Sequence, residues 1–282
     1  MRWTRGGRSS NIEDRRGASG GGGFRGMGGG GARLGIGGVA VLLVLSLVFQ
    51  RDLVSEFLGG GTATAPAGSA EAPINDPAEE DMVLFVSSVL DSTQLTWSRL
   101  LPNYPEAKLV LFRDAVESAC GFAQAATGPF YCPGDQRVYI DLGFFSQLDR
   151  QFGAPGDFAQ AYVLAHEIGH HVQNVTGMER KVRAAQQQDP RIANQLSVAM
   201  ELQADCYAGV WAYTAARNGQ LETGDLEEGL NAAAAVGDDR LQKMGGGRVN
   251  PESFTHGSSA ERARWFRRGF ESGDPNRCDT FS

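Results

Sequence analysis

The residues of this sequence that best suit metal chemistry are two histidines four residues apart, with a glutamate between them. On a helix, His166 and His170 share a face and can bind one zinc ion, and Glu167 leans towards a water on that ion. Residues 158–172 contain no other formally charged side chain, and a buried carboxylate implies a nearby cation. Three of the chain's four histidines, His171 included, lie in this one turn. The pattern therefore favours a metal site over a helix with unrelated histidines.

A catalytic zinc site needs a third protein ligand and an open fourth position. Gln173 and Thr176 stand where an extended motif would need a glycine and a histidine, so the ligand must come from elsewhere. Between residues 198 and 216 only Glu201 and Asp205 carry a charge, and their spacing places them on one helical face. We predict Glu201 as the third ligand and Asp205 as the acceptor of a hydrogen bond from a ligating histidine. The alternative is that the two acids cap another element.

These segments resemble the zincin metallopeptidases whose third ligand is a glutamate, and more narrowly the neutral zinc metallopeptidase family of bacterial, membrane-anchored proteins. The resemblance implies a mainly helical α+β, zincin-like fold with a small sheet, and one Zn²⁺ ion. Nothing before residue 81 carries a specific motif of the family. The matching stretches are Ala119–Gly121, Tyr131–Pro133, Val138–Leu142, Ala165–Gln173, Glu201–Trp211, Thr255–Ser258 and Cys278–Phe281.

The family resemblance implies a zinc-dependent endopeptidase that acts on a peptide or protein. In such an enzyme Glu167 takes a proton from the attacking water and passes it to the leaving amine. An alternative from another class is a zinc-stabilised envelope module that binds a partner and cuts nothing. Glu167 favours the enzyme, because a purely structural site has no use for a general base.

A second donor to the developing oxyanion is usual in this chemistry. The fourth histidine, His256, is the first candidate, and Tyr162 and Tyr207 are the others. The alternative for His256 is a residue at the entry to a helix that Ser258 or Ser259 caps. Since His171 lies off the ligand face, we expect it to pack or to make a local hydrogen bond.

The N-terminal stretch is basic and rich in glycine. Residues 1–33 carry seven arginines against Glu13 and Asp14, a net charge of +5, and include two runs of four glycines. This composition buries too little apolar surface to offset chain entropy, so it predicts a disordered, cytoplasmic head. Subtracting this +5 from the chain's −7 leaves −12 for the remainder, so no nucleic acid is expected as a partner.

Residues 34–50 form an uncharged apolar run of seventeen residues, close to the minimum for a membrane-spanning helix. Because the arginines lie mostly before it, we predict a single-pass anchor in the cell membrane, with a cytoplasmic N-terminus and an extracytoplasmic domain. Residues 51–80 are then a flexible linker, and residues 81–282 the zinc metallopeptidase-like domain. The alternatives are a signal peptide cleaved near residues 63–65, and a buried core helix.

The four cysteines support export, because disulfides persist in oxidising compartments. Three pairings are possible in principle. Pairing Cys120 with Cys132 closes a short loop, and pairing Cys206 with Cys278 ties the C-terminal tail to the region of the metal site. Cysteine zinc ligands are the alternative, but no pair has the Cys-x-x-Cys spacing.

Capping residues, prolines and apolar periodicity predict the remaining elements. Two strands are expected, joined by a hairpin or a crossing, and by resemblance Val138–Leu142 is a candidate edge strand for an extended substrate. The alternative is an ordinary core strand. Asp157 is expected to cap the metal helix. The predicted helices are 77–101, 143–151, 157–176, 190–217, 224–243 and 258–269, and the predicted strands are 108–112 and 137–141.

Overall fold

A computed structural model describes residues 1–17 and 77–281 of the chain. These residues form a mainly helical structure with two small sheets, so the predicted α+β class is confirmed. The strands are β1 (Ile12–Asp14), β2 (Lys108–Phe112), β3 (Ala115–Ser118), β4 (Gly121–Gln124), β5 (Phe130–Cys132) and β6 (Arg137–Asp141). The helices are α1 (Pro77–Leu100), α2 (Gly143–Arg150), α3 (Asp157–Val175), α4 (Met178–Gln188), α5 (Ala193–Arg217), α6 (Asp225–Ala235), α7 (Asp238–Met244) and α8 (Ser259–Ser272).

The main sheet has the strand order β1–β2–β6–β5. Strands β1, β2 and β6 are parallel, whereas β5 pairs antiparallel with β6. Leu109 and Val138 face the main core, while Val110 and Tyr139 face a second cluster. Both central strands therefore read as continuous apolar runs, as expected for strands covered on both faces.

The predicted edge strand is wrong. Strand β6, which contains most of Val138–Leu142, pairs with β2 on one side and β5 on the other, so it is a core strand. Among the described strands, β5 has β6 as its only partner. The short β5 segment lacks the alternation that would have marked it as a strand. The hairpin β3–β4 forms the second sheet and was not predicted.

The metal helix α3 begins at Asp157, which is its first helical residue and not its cap. The cap position is Gly156, and the Glu228 carboxylate of α6 accepts the Phe158 N–H at 3.1 Å. A distant side chain thus satisfies the helix start. The helix ends at Val175, and Gly177 follows with a φ of 77°, which only glycine adopts without strain.

Two other helical predictions need correction. The segment predicted as one helix over 224–243 divides into α6 and α7, with Gly237 in an extended conformation between them. A Cβ at Gly237 would lie 2.3 Å from the backbone nitrogen of Ser259, so the break lets α8 approach. Helix α4 was not predicted, because its sequence is almost entirely polar.

Helices α3, α5 and α8 pack closely around the predicted metal residues. A Cβ at Gly169 of α3 would lie 2.9 Å from the Ala204 carbonyl oxygen of α5. Between α5 and α8, a Cβ at Gly269 would lie 1.9 Å from the Cys206 carbonyl oxygen. Backbones can approach this closely only where no side chain intervenes. The small residues therefore bring three helices within side-chain reach of one site.

Both expected disulfides are present in the structure. Cys120 joins Cys132 with a Cα–Cα distance of 5.8 Å, and Cys206 joins Cys278 at 5.6 Å. Both distances lie in the normal range for disulfides. The second bridge ties the C-terminal tail to α5, the helix that carries Glu201.

The prediction of a disordered N-terminal head is wrong for residues 1–17. These residues are ordered, and β1 adds a parallel strand to β2, with Ile12 opposite Leu109. Composition failed here because the partners of this segment lie far away in sequence. The predicted anchor at 34–50, the rest of the head and most of the predicted linker lie outside the described residues. No helix in the described ranges combines the length and apolarity needed to cross a membrane.

Candidate metal centre

Three predicted ligands converge at the contact between α3 and α5. The Nε2 atom of His166 lies 3.2 Å from one carboxylate oxygen of Glu201, and the Nε2 atom of His170 lies 3.4 Å from the other. One potential ligand atom from each residue falls within 4.8 Å of the others. Two imidazoles and a carboxylate form a donor set that Zn²⁺ prefers. The structure therefore brings the predicted third ligand, Glu201, next to the two histidines, and the three residues could hold one metal ion.

His166, His170 and Glu201 are called the triad below. Each histidine of the triad faces Glu201 with Nε2 and is oriented by a hydrogen bond at Nδ1. The Nδ1 atom of His166 lies 2.9 Å from an Asp205 carboxylate oxygen, and the Nδ1 atom of His170 lies 2.9 Å from Oε1 of Gln173. These acceptors keep a proton on Nδ1 and leave both Nε2 lone pairs facing the site. Asp205 was predicted in this role. Gln173 was not, although its position three residues after His170 was available as a signal.

Behind the triad lies a fully buried ion pair between Arg262 of α8 and Asp205. The Nε atom of Arg262 donates to one oxygen of Asp205 at 2.8 Å, and Nη2 donates to the other at 3.0 Å. Nη2 also lies 3.7 Å from Glu201. Removing one partner from such a pair would leave an uncompensated charge. Sequence reasoning missed Arg262, because α8 carries several arginines and nothing local distinguishes this one.

The buried carboxylates of the site have pKa values shifted in opposite directions. Burial raises the pKa of Glu167, and the nearby His170 and His166 only partly offset this. Burial acts on Glu201 in the same sense, but when both imidazoles are protonated the charge of His170 and the hydrogen bonds from both histidines outweigh it and hold the pKa of Glu201 well below the usual range. Glu167 is thus suited to exchange a proton, and Glu201 to remain an anionic ligand.

Comparison with known proteins supports this metal chemistry. The model of the family described as "Putative neutral zinc metallopeptidase" matches residues 1–281. The chain belongs to this family. "Uncharacterized protein YpfJ" of Escherichia coli K12 is 48% identical over 286 residues, which cover 100% of this chain and 99% of that protein. "Uncharacterized protein Rv2575" of Mycobacterium tuberculosis H37Rv is 49% identical over 203 residues, 68% of each chain. No solved structure matches with significance.

The family match also corrects an expectation about the N-terminal stretch. The sequence analysis found no specific motif of the family before residue 81, but the family model begins at residue 1, and the Escherichia coli relative aligns along the entire chain. The ordered residues 1–17 therefore lie within the stretch that the family model matches, as do the predicted metal ligands.

In this family member the triad and Glu167 line a cleft of about 500 Å³. Strand β5 forms part of its rim through Phe130 and Tyr131. The side chains that line the cleft come from parts of the sequence before and after the motif at His166–His170. Those from before it are mainly apolar and include Phe144, Phe152 and Val163. Those from after it include the ion pair between Glu179 and Arg183.

Of the three candidate oxyanion donors, only His256 has a side chain free to act in the cleft. The Tyr162 hydroxyl donates to Asp205 and accepts from Arg262, so it belongs to the buried ion pair. Tyr207 is not among the residues that line the cleft, and its ring packs edge-on against Trp97.

His256 lines the cleft and is held by Asp238, which sequence reasoning missed. One Asp238 oxygen accepts the backbone N–H groups of Thr255, His256 and Gly257, at 2.7, 2.7 and 3.1 Å. The other lies 3.1 Å from Nδ1 of His256. Burial lowers the pKa of His256, but the Asp238 hydrogen bond and the charge of Glu201 raise it above its ordinary value. The alternative prediction, that this segment is the entry to a capped helix, is also confirmed, because Ser258 caps α8 with a capping box.

His171 lies off the ligand face, as predicted, and holds Tyr131 in place. Its Nε2 lies 2.7 Å from the Pro105 carbonyl oxygen, which only accepts, so Nε2 carries the proton. Its Nδ1 therefore accepts from the Tyr131 hydroxyl at 2.9 Å. Asn174 donates to the same hydroxyl at 2.8 Å. This network fixes β5 against the metal helix, and it engages the Tyr131 proton away from the cleft.

Proposed function

We propose that the chain is a zinc-dependent endopeptidase in which His166, His170 and Glu201 hold one Zn²⁺ ion. When bound, the ion supplies Lewis acidity towards water and a peptide carbonyl. The observation that carries the proposal is the convergence of three ligand atoms beside a buried glutamate, Glu167, that is not needed as a ligand. A site built only for structure would close its fourth position and leave Glu167 without a task.

Glu167 acts as the general base in this proposal. Its carboxylate accepts a proton from the attacking water and delivers it to the nitrogen of the leaving amine. The raised pKa of Glu167, caused first by burial, brings its proton affinity closer to that required for both transfers. Its exposure of 8% leaves a path to the cleft while excluding bulk water.

His256 donates to the oxyanion that forms as the carbonyl is attacked. Asp238 accepts from Nδ1–H and orients the imidazole, and its hydrogen bond raises the pKa of His256. In the protonated ring, Nε2–H is the donor available to a substrate oxygen. A preorganised donor of this kind lowers the barrier because it needs no reorientation during the reaction. Asp238 acts through His256 and is a positioning residue.

The substrate is proposed to be an extended polypeptide that runs along β5. The cleft has a volume of about 500 Å³, which leaves room for substrate residues beside the scissile bond. Strand β5 borders the cleft and has a single partner among the described strands, so its other edge can accept a substrate strand. This role replaces the one first given to Val138–Leu142.

We place this domain outside the cytoplasm, because both disulfides would persist in an oxidising compartment and would be reduced in the cytosol. The second candidate function is a zinc-stabilised binding module without catalysis. The presence of Glu167 beside the triad favours the peptidase.

The test is the substitution Glu167→Gln in the full chain. We expect unchanged zinc content and unfolding midpoint, with loss of cleavage of a casein-type substrate measured by release of fluorescent peptides. Glu117→Gln, at an exposed position on β3, is the matched control and should retain activity. Equal cleavage by the Glu167→Gln variant and the wild type would refute the mechanism. No cleavage by either protein, with zinc bound, would favour the binding module.

A further inference from the structure

Residues 1–17, the N-terminal strap, are attached to the domain by backbone and side-chain bonds. The Asn11 carbonyl oxygen accepts the Leu109 N–H at 2.8 Å, and the Arg15 N–H donates to the Leu111 carbonyl oxygen at 2.8 Å. These bonds continue the parallel ladder between β1 and β2. The strap therefore completes the main sheet at the edge opposite β5.

Side chains along the strap are also engaged. The Trp3 ring packs edge-on against Phe85 of α1, with ring centroids 5.6 Å apart. The Ser9 hydroxyl donates to Asp91 at 2.6 Å, and the Asn11 amide donates to Glu106 at 2.6 Å. Ser9 and Asn11 are both buried. Buried polar groups with specific partners indicate an interface that belongs to the fold.

Each arginine of the strap has a carboxylate partner, so this basic segment is neutralised by the domain and by its own acids. Arg16 is the most buried, with a side chain 1% exposed, and it donates to Glu79 at 2.9 Å and to Asp14 at 2.7 Å. A guanidinium is stable in such a place only while its acids remain there. The other pairs are Arg2 with Glu222, Arg5 with Asp81, Arg8 with Glu80 and Asp14, and Arg15 with Glu13.

We propose that the N-terminal strap is a permanent strand of the metallopeptidase domain and lies in the same compartment as residues 77–281. A single membrane crossing by residues 34–50 would put the strap and the domain on opposite sides, and β1 could not then form. The five arginines of the strap, which contributed to the prediction of a cytoplasmic head, are instead engaged in ion pairs with acids of the domain and of the strap itself. This inference rests on contacts remote from the metal centre and is independent of the proposed catalysis.

Cross-linking in cells tests whether β1 forms in the full chain. Ser9→Cys combined with Asp91→Cys places two thiols where the native side chains touch, and the described cysteines are all paired in disulfides. A specific protease site inserted at Gly60 is cut after lysis, and the two fragments are then separated under denaturing, non-reducing conditions. We expect the two fragments to stay joined until reductant is added. The matched control, Ser10→Cys with Asp91→Cys, uses the exposed neighbouring residue and should release the N-terminal fragment.

Labelling with a membrane-impermeant thiol reagent tests the compartment separately. The single variants Ser10→Cys and Glu117→Cys each place one thiol at an exposed position, the first in the strap and the second in the domain. Equal labelling of both in intact cells, whether both react or both are protected until permeabilisation, would support the proposal. Labelling of Glu117→Cys alone in intact cells, together with no cross-link between residues 9 and 91, would overturn it. Neither outcome depends on peptidase activity.

Discussion

Two buried arginines, one beside the predicted metal residues and one in the N-terminal strap, make similar ion pairs with different consequences. Arg262 is 3% exposed and pairs with Asp205, which in turn orients a predicted zinc ligand, His166. Arg16 is 4% exposed and pairs with Asp14 and Glu79, neither of which contacts the metal residues. The same type of buried ion pair therefore supports a metal centre in one region and a sheet edge in the other.

The two ion pairs differ in the further contacts that the carboxylate of each pair makes. Asp205 bonds to Arg262 and to His166, so a change at Arg262 reaches the predicted ligand His166 through one intervening side chain. Glu79 bonds to Arg16 and Arg113, both in the structural interface around β1 and α1. We therefore expect substitution of either arginine to lower the stability of the fold, and only substitution of Arg262 to weaken zinc binding.

The largest effect is expected from Glu201→Ala, which removes a ligand itself. Two imidazoles alone fall short of the three protein ligands of a catalytic zinc site. We expect a loss of zinc affinity greater than the ~10–100-fold that removal of an outer hydrogen-bond partner costs. Metal content after dialysis against a zinc buffer measures it, with Glu117→Ala as the control. Undiminished zinc in Glu201→Ala would show that the third ligand is misassigned.

The second prediction addresses the comparison directly, with Arg262→Met and Arg16→Met. Arg262→Met leaves the buried carboxylate of Asp205 without its cationic partner, which costs about 3–5 kcal/mol of unfolding free energy. After Arg16→Met, by contrast, Asp14 and Glu79 still pair with Arg8 and Arg113. Arg262→Met should lie at the upper end, because Asp205 is fully buried, and Arg16→Met at or below the lower end, because Asp14 and Glu79 keep side-chain exposures of 17% and 23%. Urea unfolding of the zinc-free proteins gives both values.

Zinc titration of the same two variants tests whether each arginine affects zinc affinity in addition to stability. Arg262→Met should weaken zinc binding by about 10-fold or more, because Asp205 loses the group that fixes it behind His166. Arg16→Met should bind zinc as the wild type does, at temperatures where it is folded. Arg264→Met, an exposed neighbour on α8, is the control for both assays. Equal weakening of zinc binding by both buried variants would refute the separation of the two regions.

The two regions also differ in how far sequence reasoning could reach them. His166, Glu167 and His170 share one turn, and Glu201 and Asp205 share another, so helical spacing alone identified five residues that the structure brings together. Gln173 was within reach of the same reasoning. Arg262 and Asp238 were not, because each gains its role from a contact made across the fold.

Residues 1–17 show the same limit more severely. Their composition argued for disorder, since a free segment with five arginines and few apolar groups cannot fold alone. The structure supplies what the segment lacks, namely the β2 edge and acids from α1 and from the loop that precedes α6. Composition measures what a segment can bury by itself. It gives no information about a surface that is completed elsewhere in the chain.

The third prediction is that His256→Ala has an intermediate effect, which is confined to the stability of the transition state. Loss of one preorganised oxyanion donor typically lowers kcat by about 10²–10³-fold. Zinc content and KM should change little, because His256 is not a ligand and Asp238 still holds three backbone N–H groups of its loop. Steady-state kinetics on a fluorogenic peptide measures the effect. An unchanged kcat would remove His256 from the mechanism and leave the metal triad untouched.

The smallest effect is expected from Arg2→Ala, which compares an exposed ion pair of the strap with the buried pair of Arg16. Arg2 and Glu222 lie 3.2 Å apart, but their side chains are 74% and 48% exposed. Water screens such a pair, so its loss should cost less than about 1 kcal/mol. The strap should therefore depend on Arg16 and the β1 ladder, and barely on its outer arginines. Urea unfolding of Arg2→Ala beside Arg16→Met provides the measurement. A cost for Arg2→Ala that equals the cost for Arg16→Met would mean that net charge, and not the buried ion pair, holds the strap in place.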